Sequence, residues 1–299
     1  MPQVKALIVL MLLSMLLLSS FAQGVAAQEG TPVTAGATGV REETLVSWTI
    51  AADAFPTGDI EALFYRLTLP AGVSLPLLAG PLCDCPGETV ASGIGLEVVE
   101  VGTYRLRLDA PMTVVRAGAE EEVTPGTEVT LGPGDVARFP DYAAPGVIRN
   151  SGTDVVSVVG LAILSQEATG TPVPDLPPEV MAEALSRAVP SDWRRLPPGP
   201  VMVMLQRLSL PVGAELAPYE PTGLETMHVV EGQVSLAFIP AGQTEPGTPL
   251  SYEAGRTAPF LPALLGTRRV VSNDEDEPAT ILVLTISPVG EGAGTPAPA

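Results

Sequence analysis

The sequence predicts an all-β protein: two jelly-roll barrels in tandem, with one short helix in the linker between them. Three observations lead there. Glycine and proline number 30 and 32 among 299 residues, well above their ordinary share of about 12 %. They separate short apolar runs such as LFYRLTL at 63–69, TYRLRL at 103–108 and VVSVV at 155–159, several of which alternate with period two as half-buried strands do. The third observation is an internal repeat. RLTLPAG at 66–72 matches RLSLPVG at 207–213 at five of seven positions. VVEVG at 98–102 answers HVVEG at 228–232, and LGPGDVARFP at 131–140 answers YEAGRTAPFLP at 252–262. A repeat of this length implies a duplicated domain.

Taken in order, the chain opens on Lys5 and an apolar run at 6–18 interrupted only by Ser14, followed by a small-x-small site, Val25-Ala26-Ala27. Residues 1–27 read as a secretory signal peptide, cleaved from an exported protein. The run is shorter than the roughly 20 residues a spanning helix needs, so no transmembrane segment is expected in the mature chain. Residues 28–44 are rich in Gly, Thr and Ala and read as a disordered linker, as does the tail at 289–299.

Residues 45–168 form the expected N-terminal domain. It exceeds its counterpart by one loop: 30 positions separate Gly72 from Gly102, against 19 from Gly213 to Gly232. Cys83 and Cys85 lie on that loop. In an exported protein a disulfide is the default for two cysteines, though closing it across one residue is strained. Free or intermolecular thiols, and a Cys-x-Cys redox or soft-metal site, are the other readings. Residues 169–200 are a Pro-rich linker. Within it Val180, Met181, Ala184, Leu185 and Ala188 fall at helical spacing between prolines 177, 178 and 190, which predicts a helix over 179–189. Residues 201–288 form the expected C-terminal domain.

The charge and the scarce basic residues exclude much. The formal charge is −19 and the pI about 4.3, which opposes nucleic acid and anionic membrane partners. Lys5 is the sole lysine and His228 the sole histidine. Schiff-base chemistry, the P-loop lysine and zinc sites needing two histidines are therefore excluded.

The second half carries a spaced set: Gly213, five residues, Tyr219-Glu220-Pro221, three residues, Glu225, six residues, Gly232. Further on come Gly255, Pro262, Gly266, Arg269 and Asn273. In spacing this resembles the two motifs of the cupin family, with Tyr219, Pro221 and Arg269 where that family has metal-binding histidines and Glu225 where it has its carboxylate. In the first half the same positions fall on Gly95 and Gly146, so no ligand is recognisable there. The resemblance implies two cupin-type barrels (double-stranded β-helices); because the family's histidines are missing here, its metal is not carried over and no cofactor is expected. It also implies that the Arg269 guanidinium takes the place of the cation beside Glu225, with Tyr219 supplying a hydroxyl. The alternative is an arginine turned to solvent at a strand end.

Tyr219, Glu225, Met227 and Arg269 are accordingly the expected ligand-binding residues of the second barrel, with no catalytic residue. Side chains alternate along a strand. If Glu225 points inward, so do Met227 and Val229, and His228 points to the outer face as an ordinary strand histidine. The acidic run 273–277 lacks calcium-loop spacing and reads as a solvated turn; Glu120–Glu122 reads as a loop tip. The functional expectation is an exported, metal-free, non-catalytic module that binds an unidentified small molecule or serves a structural role, with a homodimer as a further expectation. The alternative is a cupin enzyme, an isomerase, epimerase or oxygenase, with unorthodox ligands.

Overall fold

The repeated phrase RLxLP ends a ten-residue strand in each half, and the rest of each barrel is built outward from that strand. The computed structural model describes residues 39–56, 58–77, 93–141, 144–165, 176–189, 199–261 and 266–289. All regular secondary structure among them is β. A first strand, β1 (Arg41–Ile50), precedes the first barrel. That barrel comprises β2 (Ile60–Leu69), β3 (Ser74–Leu77), β4 (Gly93–Val101), β5 (Tyr104–Leu108), β6 (Met112–Arg116), β7 (Ala119–Val123), β8 (Glu128–Leu131), β9 (Val136–Phe139), β10 (Gly146–Arg149) and β11 (Val156–Ser165). Then comes β12 (Met181–Ala188). The second barrel comprises β13 (Val201–Leu210), β14 (Leu224–Glu231), β15 (Gln233–Ile239), β16 (Leu250–Glu253), β17 (Thr257–Leu261), β18 (Arg268–Ser272) and β19 (Ala279–Pro288).

Each barrel is one large sheet facing one small sheet. The first has the order β12-β2-β11-β4-β9-β6-β7 over β3-β10-β5-β8; the second has β1-β13-β19-β14-β17 over β16-β15-β18. This is the expected all-β double barrel. The apolar sides of β2 and β13 that face inward, Leu67 and Leu69 in one and Leu208 and Leu210 in the other, belong to two separate barrel cores. The opposite sides of the large sheets pack on each other. Phe64, Leu96, Val159, Leu161 and Ile163 from the first barrel meet Val203, Leu205, Leu282, Leu284 and Ile286 from the second in a third core. The central strands are thus buried on both faces, which is why β11 and β19 read as nearly unbroken apolar runs. Full burial of each such side chain stabilises by about 1.5–3 kcal/mol.

The repeat is geometrically close. Leu69 pairs with Val156 as Leu210 pairs with Ala279. Gly102 and Gly232 hold φ of 80° and 74°. A Cβ there would stand 2.7 Å from the Val155 carbonyl oxygen and 2.6 Å from that of Pro278. Both the left-handed backbone and the close approach require glycine. After the last turn of each half a buried Asn bridges backbone carbonyls: Asn150 donates to Leu69 and Asp154, Asn273 to Leu210 and Glu277. Residues 273–277 are therefore an Asn-pinned turn.

The two flanking strands are exchanged. β1 pairs with β13, and β12 pairs with β2, each covering the edge of the other half's large sheet. Both shift register at the same place, between Thr44 and Val46 and between Ala184 and Ser186. Strand pairing begins at Arg41, inside the 28–44 stretch expected to be unstructured.

The helix expected over 179–189 is not formed; β12 occupies it. An uncovered β2 edge would leave backbone N–H and C=O groups unpaired, and tertiary pairing overrides a weak local periodicity. The bulge after Ala184 buries Leu185 and Ser186 in succession, which breaks the period of two and imitates helical spacing. Met181, placed on the apolar face by that spacing, is 64 % exposed. Glu120–Glu122 lie on β7 and pair with β6; they are exposed but do not form a loop tip.

The signal-peptide segment 1–27, Cys83 and Cys85, and the tail beyond 289 lie outside the described residues. Among the described residues no helix is long and apolar enough to cross a membrane.

Candidate functional site

Glu225 sits on β14 between β17 and β19, opposite Leu261 on one side and Thr285 on the other. The inward register that carries Met227 and Val229 into the second barrel's core carries Glu225 there too. Arg269 comes from β18 in the small sheet. Tyr219 precedes β14 and is held to Arg269 by a two-way backbone bridge, Tyr219 N to Arg269 O at 3.1 Å and Arg269 N to Tyr219 O at 2.7 Å. That bridge sets the phenol beside the guanidinium.

The side chains converge on one atom. Arg269 Nη1 donates to Glu225 Oε1 at 2.5 Å, and Tyr219 Oη donates to the same oxygen at 2.7 Å. Arg269 Nη2 donates to the Leu261 carbonyl at 2.9 Å. Both charged side chains are 5 % exposed. A carboxylate alone at this depth would be costly; the guanidinium neutralises it, and the phenol and the carbonyl satisfy further polar groups. Burial and the Glu225 charge push the Tyr219 hydroxyl well above the ordinary tyrosine value, against the opposing influence of Arg269. Tyr219 is thus a donor at any physiological pH. Met227 is buried, and packs into the apolar core below the pair.

The positions that correspond to cupin metal ligands do not fit a metal. Arg269 is a permanent cation, Pro221 has no donor side chain, and the remaining carboxylate is already engaged by the guanidinium. Among the described residues no group of three or more His, Cys, Asp or Glu could hold a metal ion.

The first barrel has an interior carboxylate that the repeat does not announce. Gly95 pairs with Phe139 and Ala162 and is the counterpart of Glu225, as expected. Two residues on, at the counterpart of Met227, Glu97 is 1 % exposed. It accepts from Tyr104 Oη at 2.7 Å and Tyr65 Oη at 3.1 Å. Burial raises the Glu97 pKa, and the two phenols partly offset this. Burial and the Glu97 charge also raise the Tyr104 hydroxyl well above its usual value. Tyr65 lies directly over Gly160, where a Cβ would stand 2.2 Å from the ring. Period two, which keeps residues 95 and 97 on one face, is the signal that could have found Glu97.

His228 points away from the barrel interior, but it is fully buried and not an outer-surface residue. The outer face of β14 lies against the first barrel. Its Nδ1 is 2.8 Å from Thr257 Oγ1, while Nε2 has no partner among the described residues. Burial, and secondarily the positive charge of Arg66, lower its pKa to about 4 against a smaller opposing effect of Glu100. Arg66 and Glu100 pair at 3.1 Å, and Ser157 also donates to Glu100.

No protein-family model matches the chain, and no curated protein matches it. Solved structures do. A single-site variant of oxalate decarboxylase from Bacillus subtilis is similar at 11 % identity, with a TM-score of 0.44 over 80 % of this chain and 77 % of that one. A cupin 2 conserved barrel domain protein from Leptotrichia buccalis is similar at 11 % identity and a TM-score of 0.34, over 85 % and 92 %. Procruciferin, an 11S globulin of Brassica napus, is similar at 11 % identity and a TM-score of 0.43, over 75 % and 76 %.

Proposed function

We propose that the chain is an exported, metal-free cupin-like module with a binding or structural role and no catalytic activity. The observation that carries this reading is the Arg269–Glu225 contact. A permanent cation sits where the fold's motif spacing would place the last metal ligand, and it uses the lone carboxylate. Tyr219, partly exposed, closes over the pair and offers the surface at which a small molecule would meet the second barrel, with Met227 beneath. Glu225 shares its inward register with Met227 and Val229 of the second barrel's apolar core, which supports a role in holding the barrel together. The chain's acidity opposes nucleic acid as a partner.

Elemental analysis of the purified protein after dialysis tests this. Manganese, iron, nickel and zinc well below one per chain, with an unchanged melting temperature in chelator, is the expected result. Any of these metals at one per chain overturns the reading.

A further inference from the structure

The two halves differ in charge at positions that the duplication makes counterparts. The outer face of the first small sheet carries Arg105 and Arg107 on β5 and Arg149 on β10, alternating with the buried Leu106, Leu108 and Ile148. Counting from Gly102 and Gly232, and from Asn150 and Asn273, the second half has Ser235, Ala237 and Ser272 at these places. Arg149 lies directly opposite Arg105, and like charges so placed are unfavourable. The side chains of Arg105, Arg107 and Arg149 are 53 %, 41 % and 49 % exposed. Glu128 accepts from Arg105 at 3.3 Å and lies 3.6 Å from Arg149; Asp109 lies 3.7 Å from Arg107. Among the described residues, three guanidinium groups thus share two carboxylates through a single hydrogen bond.

The turn that follows departs in the opposite sense. After Asn150 the first half runs Ser151-Gly152-Thr153-Asp154; after Asn273 the second runs Asp274-Glu275-Asp276-Glu277. These four acids are exposed, and among the described residues none pairs with an arginine. By contrast Glu120 and Glu121 on β7 already pair with Arg138 and Arg116. Asn273 holds the acidic turn by donating to the Leu210 and Glu277 carbonyls, so its carboxylates stand on a preorganised loop.

We propose that the arginine face of one copy of this chain receives the acidic turn of a second copy, in a head-to-tail contact. The barrels pack through their large sheets, so the first small sheet faces away from the second barrel and the contact cannot close within one chain. Face and turn are different surfaces, so the interface is heterologous and each copy offers one of each. Guanidinium groups in excess of their carboxylates meet carboxylates that lack a cation, and such pairs form charge-assisted hydrogen bonds. The formal charge of −19 repels two copies at long range. At about 0.15 M salt the Debye length of about 8 Å confines that repulsion and leaves direct contacts in place; at about 1 M it shrinks to about 3 Å and weakens the contacts too. Association therefore passes through a maximum as salt rises. This inference does not rest on the Arg269–Glu225 site and stands or falls separately.

Sedimentation velocity on the purified chain, over a concentration series at about 0.15 M and about 1 M salt, tests it. The expected result is self-association that grows with concentration at the lower salt and is at least tenfold weaker at the higher. Two variants take their residues from the other half of the repeat. One carries Arg105→Ser, Arg107→Ala and Arg149→Ser; the other carries Asp274→Ser, Glu275→Gly and Asp276→Thr. Each alone should associate at least tenfold more weakly than wild type. Mixed together they should form a one-to-one complex that grows no further, because one intact face and one intact turn remain. A wild-type chain that stays monomeric at every concentration, association that survives in either variant or strengthens at the higher salt, or a mixture that does not pair each overturns the proposal. Should the arginine variant fail to fold, the acidic-turn variant and the salt series on the wild-type chain decide.

Discussion

Arg269 places a guanidinium nitrogen 2.5 Å from Glu225 Oε1 at a depth where each side chain is 5 % exposed. Taking two charges out of water costs several kcal/mol per ion, and the mutual attraction and extra hydrogen bonds offset this. The pair is therefore sensitive to loss of one partner and tolerant of loss of both. Arg269→Ala or Glu225→Ala should each destabilise by about 3–5 kcal/mol. Arg269→Met combined with Glu225→Leu should fall within about 1 kcal/mol of wild type or above it. Urea unfolding of the single and double variants measures this; additive losses would show that the two residues do not act as a pair.

Tyr219 shares that oxygen at 2.7 Å. Tyr219→Phe keeps the ring and removes one donor, leaving Arg269 to serve the carboxylate. The expected loss is about 1.5–3 kcal/mol, the range for a hydrogen bond to a charged group. It should vanish in the Arg269→Met, Glu225→Leu background, where no acceptor remains. The same unfolding assay, run as a double-mutant cycle, reads the difference.

How far the sequence predicts this arrangement depends on whether a feature is written in spacing. Gly213, Glu225, Gly232 and Asn273 keep fixed offsets, so both the duplication and the convergence of Tyr219, Glu225 and Arg269 can be read from them. Glu97 is displaced by two residues from the repeat, and Gly95 holds the aligned position; only alternation along β4 points it inward. The burial of His228 is not legible because the sequence of β14 does not say what its outer face meets. The helical spacing at 179–189 misleads because a bulge at Leu185 disturbs the strand period. The exchange of β1 and β12 depends on sheet edges far away in sequence, which no local pattern encodes.

The Gly102 and Gly232 turns give a local test of the duplication. Each combines positive φ with a backbone carbonyl less than 3 Å from where a Cβ would stand. Gly102→Ala and Gly232→Ala should both destabilise by more than about 1 kcal/mol. Gly134→Ala has positive φ but no atom within 4 Å of the added Cβ, so its loss should be smaller. Equal melting temperatures for all three variants would show that the close approach contributes nothing.

Two buried titratable groups, Glu97 and His228, should tilt stability in opposite directions. Glu97 has a raised folded pKa. Its contribution is full below the unfolded carboxylate value of 4.5 and is lost as pH rises through the folded value. Glu97→Gln should therefore lower the wild type's decline toward neutral pH, provided the amide keeps the Tyr65 and Tyr104 contacts. His228 has a folded pKa of about 4 against 6.5 when free. Between those values the unfolded chain takes up a proton that the folded one refuses, so stability falls as pH drops from about 6.5 to about 4 and levels off below. The groups that face the imidazole are Thr257, Arg66 and Glu100, and none of the three supplies a carboxylate contact to hold the imidazolium. His228→Gln should remove this window while leaving stability at pH 8 nearly unchanged. Melting temperatures at half-unit steps from pH 4 to 8, taken as wild type minus variant, separate the two. A difference curve for His228→Gln that stays flat between pH 4 and 6.5 would mean that the imidazole is protonated in the folded protein and that the seam between the barrels admits solvent there.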